Sequence, residues 1–440
     1  MKVCVMGLWH LGTVTAACLA SVGHQVLGLD LDPGVVERLQ GGHPPLFEPG
    51  LEDLLKRVLA ERRLAFTTEA AEAARDADVV WVAYDTPVDE DDRADVEFVI
   101  ERVTRLFPHL SSGTLLLISS QLPVGTTRRL EQMYRAAYPH KPVSFAYSPE
   151  NLRLGKAIGA FTHPERVVVG TRSEADSERV ALLLRPFTES IEPMSVESAE
   201  MTKHALNAFL ATSVAFINEI SLLCEQVGAD AKEVERGLKS EPRIGPKAYL
   251  SPGAAFAGGT LARDIAFLTQ LGVQHRQPTH ALAAVKTSND AHKLWARSKL
   301  QQLIGNSSRS LGFDLSNQTI AVWGLTYKPG TDTLRRSSAV ELCEWLAGQG
   351  ARVLAHDPAV RKLPTGLASA VVLCPTPVVA LANAVALVVA TEWPDYLSVD
   401  SESVVSTMRS PTVIDPNRFL AKTIGNDSRI RYVAVGKALS

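Results

Sequence analysis

Residues 249–264 carry the side chains in this sequence whose types and spacing could support chemistry. Small residues dominate the middle of the segment, and Thr260 and Asp264 follow them four positions apart. Glycine and other small residues let a backbone pass close to a bulky group. Glycines ahead of a hydroxyl and a carboxylate indicate a loop that presents side chains to a ligand. A small-residue helix entry packed against a neighbour has the same composition, so composition alone leaves both interpretations open.

A second candidate site lies near the N-terminus, where a short apolar run ends at Gly7. A helical pattern follows Gly12, and a second apolar run ends at Asp30. This order of strand, tight turn, helix and strand indicates a βαβ dinucleotide-binding unit. Trp9 stands where the second glycine of Gly-x-Gly-x-x-Gly normally lets the backbone approach a pyrophosphate.

The acidic residue at the end of the second run bears on the choice of cofactor. Asp30 has the spacing expected for a ligand of the ribose 2′-hydroxyl, which favours NAD over NADP. A Rossmann-type domain that binds nothing at this turn is the alternative, and the indole of Trp9 keeps it open.

Composition and charge argue against several classes of protein. The 440 residues carry a net charge of −3, and this charge does not indicate a protein that binds nucleic acid or an anionic membrane. The five cysteines are scattered without zinc-ligand or disulfide spacing, so no metal site is expected. The N-terminus lacks signal-peptide architecture, and the apolar run near residues 380–390 is too short to span a bilayer. A cytoplasmic location is expected.

Polar residues follow several apolar runs that have the length of buried strands. These runs are residues 79–84, 115–118 and 143–147. Thr86, Ser120 and Glu150 come shortly after their ends. Polar residues at such positions indicate the carboxyl edge of a parallel sheet, where ligands bind.

The alternation predicts an α/β fold with two Rossmann-like doubly wound domains joined by a long central helix. The first domain is expected at residues 1–195. A helical pattern without proline at 197–228 opens a central helical domain at 196–303, which ends with a second helical stretch at 279–303. A boundary rich in Gly, Ser and Asn then precedes a second α/β domain at 318–440.

The segment at residues 252–264 resembles the active-site loop of the nucleotide-sugar 6-dehydrogenases, the UDP-glucose and GDP-mannose dehydrogenase family. That loop reads Pro-Gly followed by Phe-Gly-Gly-Ser-Cys-(Leu/Phe)-Pro-Lys-Asp. Phe256, Gly258 and Asp264 match this pattern. Thr260 stands where the family has its catalytic cysteine, so the loop is retained while its nucleophile is gone.

Further segments in the same order extend the resemblance to essentially the whole chain. They are residues 41–51, 85–87, 122–126, 148–155, 199–207, 324–335, 391–393 and 415–418. The family oxidises C6 of a sugar nucleotide twice, from alcohol through aldehyde to acid, with NAD as the oxidant. In the family, the cysteine captures the aldehyde as a thiohemiacetal, which is oxidised to a thioester and hydrolysed.

The resemblance implies roles for residues in all parts of the chain. Lys203 matches the lysine that contacts the reacting oxygen, and Asn207 and Asp264 match the polar partners that hold a water. Glu150 matches the glutamate that takes part in hydrolysis, and Thr260 takes the position of the nucleophile. The implied dinucleotide ligands are Gly7, Gly12, Asp30, Thr86, Ser120 and Arg335. The implied nucleotide-sugar ligands are Leu152, Phe256, Gly258 and Lys328.

Two departures from the family pattern bear on the reaction. A threonine such as Thr260 cannot act as a thiolate does without a strong base beside it. Gln121 stands where the family has a threonine that helps position water. Together they predict an NAD-dependent oxidoreductase that oxidises a UDP-sugar once rather than twice. Residues 243–247 resemble a segment of members acting on UDP-sugars, and the family's central helix implies a homodimer.

Three other interpretations stay open. The chain could be a redox-neutral epimerase with tightly held NAD, since without a cysteine the hydride can return. It could be a non-catalytic homologue that binds a sugar nucleotide, which the indole of Trp9 favours. It could also be a full dehydrogenase that oxidises an aldehyde hydrate without a covalent intermediate.

Overall fold

The computed structural model describes residues 1–87, 89, 94–150, 152, 154–257, 259–304 and 314–438. The chain divides into two compact units, Met1–Leu206 and Asn207–Ser440. Each unit contains one Rossmann-like sheet, and a long helix lies between the two sheets in the sequence. The predicted fold class is therefore confirmed. The three-part division at residues 195, 303 and 318 remains a prediction.

The sheet of the first unit has eight strands. They are β1 (Lys2–Met6), β2 (Gln25–Leu29), β3 (Leu64–Thr67), β4 (Val79–Val82), β5 (Leu115–Ile118), β6 (Ser144–Tyr147), β7 (Val167–Thr171) and β8 (Ile191–Ser195). Their spatial order is β3-β2-β1-β4-β5-β6-β7-β8, and only the β6–β7 pair is antiparallel among these strands. Because β1 pairs with both β2 and β4, the strand order reverses there and opens a crevice at the carboxyl edge.

Helices cover both faces of this first sheet. They are α1 (His10–Ser21), α2 (Pro33–Gln40), α3 (Leu51–Ala60), α4 (Ala70–Ala74), α5 (Val96–Thr104), α6 (Thr126–Ala137), α7 (Ala157–Thr162) and α8 (Glu174–Leu184). Val3 and Val5 of β1 belong to one buried cluster, and Cys4 and Met6 belong to another. Successive side chains of a strand point to opposite faces, so both faces of the sheet are buried, as parallel sheets require.

The long helix α9 (Val196–Val227) has 32 residues and starts directly after β8. By length and composition it could cross a membrane, although 44% of its most apolar window is buried inside the protein. Core helices of proteins without a membrane span can have the same length and composition.

The structure is helical over the predicted stretch at residues 279–303, which is divided between two helices. The helices that follow α9 are α10 (Ala231–Ser240), α11 (Thr260–Gln274), α12 (His280–Lys293) and α13 (Trp295–Ile304). Leu294 ends α12, and its N–H donates to the carbonyl oxygens of Ala291 and His292. This tightened last turn interrupts the helical pattern although no proline or glycine marks it.

The second unit contains a six-stranded parallel sheet. Its strands are β9 (Thr319–Trp323), β10 (Arg352–His356), β11 (Val371–Leu373), β12 (Ala386–Val389), β13 (Thr412–Ile414) and β14 (Arg431–Val433). The remaining helices are α14 (Ser338–Gly348), α15 (Thr365–Ala368), α16 (Pro377–Ala380) and α17 (Ser401–Thr407). The order β11-β10-β9-β12-β13-β14 again reverses beside the first strand of the sheet, so this unit repeats the doubly wound plan.

Candidate active site

The turn between β1 and α1 has the backbone of a dinucleotide cradle. Gly7 has φ +91°, and a Cβ added there would lie 2.7 Å from the Tyr84 ring. A Cβ added at Gly12 would lie 1.8 Å from the Gly7 carbonyl oxygen, so both positions require glycine. The helix N-terminus that follows offers free N–H groups to a phosphate.

Trp9 fits this turn without backbone strain. Its φ is −73°, so the position does not require a glycine. The indole is 45% exposed, and it does not fill the protein core beneath the turn. The departure from the glycine pattern therefore changes the surface of the crevice rather than the path of the backbone.

Asp30 follows β2 and is held against the same turn. Its Oδ2 accepts the Leu8 N–H at 2.8 Å, and its Oδ1 accepts the Asp32 N–H at 3.0 Å. The side chain is half-buried, and each oxygen keeps a further lone pair. A carboxylate in this place suits the ribose hydroxyls of a dinucleotide.

Thr86 and Ser120 lie at the carboxyl ends of the neighbouring strands β4 and β5. The Thr86 hydroxyl donates to the Gln121 carbonyl at 2.8 Å and joins the two loops. The Ser120 Oγ is buried and has no hydrogen-bond partner within the described residues. An orphaned hydroxyl on the same carboxyl edge of the sheet as the glycine turn and Asp30 fits a bound dinucleotide, which would supply the missing partner.

Glu150, Leu152 and Lys203 come together in the first unit. The Lys203 Nζ donates to the Glu150 carbonyl at 2.6 Å, and the Leu152 N–H donates to the Glu150 carboxylate. Burial raises the pKa of Glu150 to about 7, and Asp85 adds to this, while the Leu152 amide and Lys203 oppose it. A cavity of about 80 Å³ adjoins Glu150 and is large enough to hold water.

Sequence reasoning missed the contacts that anchor Lys203. Glu200 is fully buried, and its carboxylate accepts the N–H groups of Gly125 and Thr127 at 2.7 and 3.0 Å. It thereby caps the N-terminus of α6. His204 Nε2 pairs with the Leu122 carbonyl at 2.9 Å. The residues on either side of Lys203 in α9 are thus bonded to the loop after β5. In the sequence, the signal for this contact was a glutamate within an otherwise apolar helical pattern.

Asn207, Thr260 and Asp264 lie in the second unit. The Asn207 amide donates to the Asp264 carboxylate, and Asp264 is fully buried in the second turn of α11. Thr260 is the first residue of α11 and is exposed. Gly259 precedes it with φ +112°, which sets the entry of the helix. The structure therefore joins Asn207 with Asp264 and leaves the Thr260 side chain at an open helix N-terminus.

The loop before α11 is held by asparagine side chains that the sequence did not single out. Asn289 accepts the Phe256 N–H and donates to the Phe256 carbonyl, both at 2.9 Å. The Asn218 Oδ1 accepts the Gly253 N–H at 3.1 Å, and the Asn417 Oδ1 accepts the Ala254 N–H at 2.7 Å. Gly258 lies outside the described residues.

Lys328 and Arg335 lie in the loop between β9 and α14. Lys328 is half-buried and Arg335 is exposed. The Tyr327 N–H donates to the Thr333 carbonyl at 2.9 Å and closes the segment between them.

The thiols of this chain are buried, and clusters of metal-ligating side chains are not found among its described residues. All five cysteines are buried, and burial raises the pKa of Cys4, Cys18 and Cys343 to about 12. These thiols are protonated at neutral pH, so they are poor nucleophiles. Across the described ranges, no group of three or more His, Cys, Asp and Glu side chains could hold a metal ion.

Three family models match the chain, all of them from the UDP-glucose/GDP-mannose dehydrogenase family. They are the NAD binding domain at residues 1–188, the central domain at 197–291 and the UDP binding domain at 321–422.

Known proteins align with the chain over nearly its full length. The UDP-glucose 6-dehydrogenases of Pseudomonas aeruginosa and Rhizobium meliloti are each 34% identical over 99% of this chain, which covers 98% and 100% of their own lengths. A solved UDP-glucose dehydrogenase from Pyrobaculum islandicum has a TM-score of 0.87 and 31% identity, with 99% of this chain and 98% of that chain covered. The UDP-D-ManNAc dehydrogenase from Pyrococcus horikoshii, at 24% identity and full coverage of both chains, shares the fold with a TM-score of 0.84.

Proposed function

Because the chain belongs to the UDP-glucose/GDP-mannose dehydrogenase family and therefore uses NAD, we propose that it oxidises the C6 alcohol of a UDP-sugar once, to the aldehyde. The resemblance of residues 243–247 supports UDP, and so does the match to the family's UDP binding domain. The division into residues 1–195, 196–303 and 318–440 and a cytoplasmic location belong to the same proposal.

The proposal depends on which residue stands at the start of α11. A thiolate there would be favoured by the helix N-terminus and could capture an aldehyde. Thr260 supplies a hydroxyl instead, and the carboxylate one turn away, on Asp264, accepts a hydrogen bond from Asn207. The buried cysteines offer no substitute. Release of the aldehyde follows from this lack of a capturing group.

The proposed reaction removes two hydrogens from the substrate carbon and its hydroxyl. Bound NAD supplies the acceptor for the hydride that leaves C6 with its electron pair. The hydroxyl hydrogen leaves as a proton, and Lys203, held on the Glu150 carbonyl, stabilises the negative charge that develops on oxygen. With its pKa raised to about 7, Glu150 can take up a proton at neutral pH.

The remaining residues hold the ligands in this proposal. Asn207 and Asp264 hold a water, and Thr260 lies beside the sugar without bonding to it covalently. Dinucleotide ligands are Gly7, Gly12, Asp30, Thr86, Ser120 and Arg335, and sugar-nucleotide ligands are Leu152, Phe256, Gly258 and Lys328.

A homodimer through α9 is part of the same proposal. Phe209, Phe216, Leu223 and Val227 are 70%, 46%, 62% and 77% exposed, and their spacing puts them on one side of the helix. Such a stripe suits a second copy of the chain. The double change of Phe209 and Phe216 to Asp should produce a monomer in light scattering, whereas Phe47→Asp, at another exposed phenylalanine, should leave a dimer.

The experiment that tests the reaction is product analysis with UDP-glucose and NAD. We expect NADH and a sugar-nucleotide aldehyde that hydroxylamine traps as an oxime. Acid formation would instead indicate oxidation of the aldehyde hydrate. An epimer without net NADH, in protein that retains NAD on purification, would indicate the redox-neutral alternative. UDP-glucose binding without NAD binding would place the chain among non-catalytic homologues.

A further inference from the structure

Tyr84 lies two residues after β4, at the crevice where the strand order of the first sheet reverses. Its ring packs against the dinucleotide turn, because a Cβ added at Gly7 would lie 2.7 Å from the ring. Phe98 of α5 meets it edge-to-face with ring centroids 5.9 Å apart. The Arg102 guanidinium lies 5.9 Å from the same ring. These contacts fix Tyr84 as part of the wall that supports the turn.

The hydroxyl of Tyr84 is buried and has no hydrogen-bond partner among the residues that the structure describes. Buried tyrosine hydroxyls usually find a partner, because an unpaired one retains the full penalty of leaving water. Burial and the Asp30 carboxylate both hold the pKa of Tyr84 above its usual value. The hydroxyl is therefore a protonated donor at neutral pH, and it lacks an acceptor.

The position of Tyr84 indicates which acceptor is missing. Asp30 is near enough to influence the hydroxyl electrostatically, but no hydrogen bond joins the two side chains among the described residues. A carboxylate at the end of the second strand is where a dinucleotide places its adenosine ribose. Ribose, adenine and pyrophosphate all carry hydrogen-bond acceptors. A dinucleotide in the crevice would bring one of them to the Tyr84 side of the turn.

We propose that the Tyr84 hydroxyl donates a hydrogen bond to the adenosine half of bound NAD and so helps to set the affinity of the chain for this cofactor. The proposal rests on the assignment of NAD as the cofactor. Tyr84 differs from the glycines of the turn because it adds a polar contact, whereas they make room for the ligand.

The test uses Tyr84→Phe, which removes only the oxygen, in calorimetric titrations of the full-length protein. We expect the Kd for NAD and for ADP-ribose to rise about 3- to 10-fold, the range of a single hydrogen bond. The Kd for nicotinamide mononucleotide should not change. The melting temperature of the ligand-free protein should stay the same or rise, because the variant loses an unpaired buried oxygen.

Tyr134→Phe is a matched control from the same unit. Tyr134 in α6 is also buried, its hydroxyl has no partner in the part of the chain that the structure describes, and its ring packs between those of Phe107 and Phe145. This control should leave NAD affinity unchanged.

Two outcomes would overturn the Tyr84 assignment alone. One is wild-type affinity for NAD in Tyr84→Phe. The other is a lower melting temperature of the ligand-free variant with an unchanged NAD-induced shift, which would mean that the hydroxyl is paired within the protein. A wild-type protein that bound no NAD would overturn the proposal together with the cofactor role.

Discussion

The two sheets begin with the same turn and use it differently. After β1, Gly7 has φ +91° and the Leu8 N–H donates to Asp30 at 2.8 Å. After β9, Gly324 has φ +88° and the Leu325 N–H donates to an aspartate at the end of β10 at 2.7 Å. The local backbone and the acidic partner are therefore repeated in both units.

The neighbours of the second aspartate crowd one of its oxygens with donors, while its Oδ1 accepts only the Ala359 N–H within the described residues, at 2.9 Å. The Oδ2 of Asp357 also accepts the Thr326 N–H, the Thr326 hydroxyl and the Trp393 indole N–H, at 2.9, 3.0 and 3.1 Å. Thr391 packs so closely on Gly324 that an added Cβ would lie 2.6 Å from the Thr391 backbone nitrogen. The turn geometry and the close contact at its glycine are thus shared, whereas the aspartates differ. Each oxygen of Asp30 accepts one N–H group, and the Oδ2 of Asp357 alone accepts four donors.

The largest effect is expected for Gly7→Ala. The left-handed backbone and the clash with Tyr84 should together cost about 4 kcal/mol of folding free energy and weaken NAD binding at least about tenfold. Gly23→Ala is the matched control, because Gly23 has φ +100° with nothing within 4 Å of an added Cβ. It should cost only about 1 kcal/mol in urea unfolding and leave the Kd for NAD unchanged. Equal losses of NAD affinity in both variants would show that the position of Gly7 in the dinucleotide turn is not the cause of the effect on binding.

Replacing each aspartate by asparagine should mainly lower stability in the second unit and mainly lower NAD affinity in the first. Asp357→Asn removes the negative charge that four donors share, and its NH2 replaces an oxygen that accepts a hydrogen bond. It should cost about 2–3 kcal/mol in denaturant unfolding, with no change in NAD affinity. Asp30→Asn should destabilise less but weaken NAD binding about tenfold. Loss of NAD affinity in Asp357→Asn would show that the second turn also binds the dinucleotide.

A smaller effect distinguishes the two glutamates that follow strands of the two sheets. Burial raises the pKa of both Glu150 and Glu392, that of Glu150 from 4.5 to about 7. Between these pH values the folded protein binds more protons than the unfolded chain, so wild-type stability falls as pH rises. Glu150→Gln should therefore gain stability relative to wild type in thermal melts as the pH rises from 4.5 to about 7. Glu392→Gln should gain stability in the same direction, because burial also raises the pKa of Glu392.

Only the first of these variants should alter the pH–rate profile. Wild-type turnover should rise with pH around a midpoint near 7, since Glu150 acts as a base in the proposed reaction. Glu150→Gln should flatten that rise, while Glu392→Gln should keep it. The same midpoint in Glu150→Gln would remove Glu150 from the proposed mechanism.

The smallest effect is expected for Thr260→Cys, which places a cysteine at the start of α11 and leaves the other residues unchanged. The new thiol should react readily with iodoacetamide because it lies at the N-terminus of α11. Acid formation should nevertheless stay absent, because Gln121 and Trp9 are unchanged. Full acid formation by this single variant would show that the missing thiol alone limits the reaction.

Most strands of the two sheets were predictable because they combine continuous apolar runs with a following polar turn. The sequence did not single out four strands, each at the edge of its sheet: β3, β8, β11 and β14. Three to five residues with little alternation carry too little pattern. Tyr84 was predicted inside a strand, but β4 ends at Val82 and leaves Tyr84 in the crevice. Side-chain pairs such as Asn207 with Asp264 depend on tertiary packing, which periodicity does not encode.

The sequence alone determined the doubly wound plan, the glycine turn, the acidic residue after β2 and the absence of a cysteine at position 260. These features depend on local backbone geometry and on residue identity, which can be read directly. Only the tertiary structure decided that four donors surround one oxygen of Asp357, that Glu150 is buried enough to titrate near neutrality, and that the Tyr84 hydroxyl has no partner among the described residues. Hydrogen-bond satisfaction and desolvation depend on neighbours distant in the chain, so the order of residues cannot reveal them.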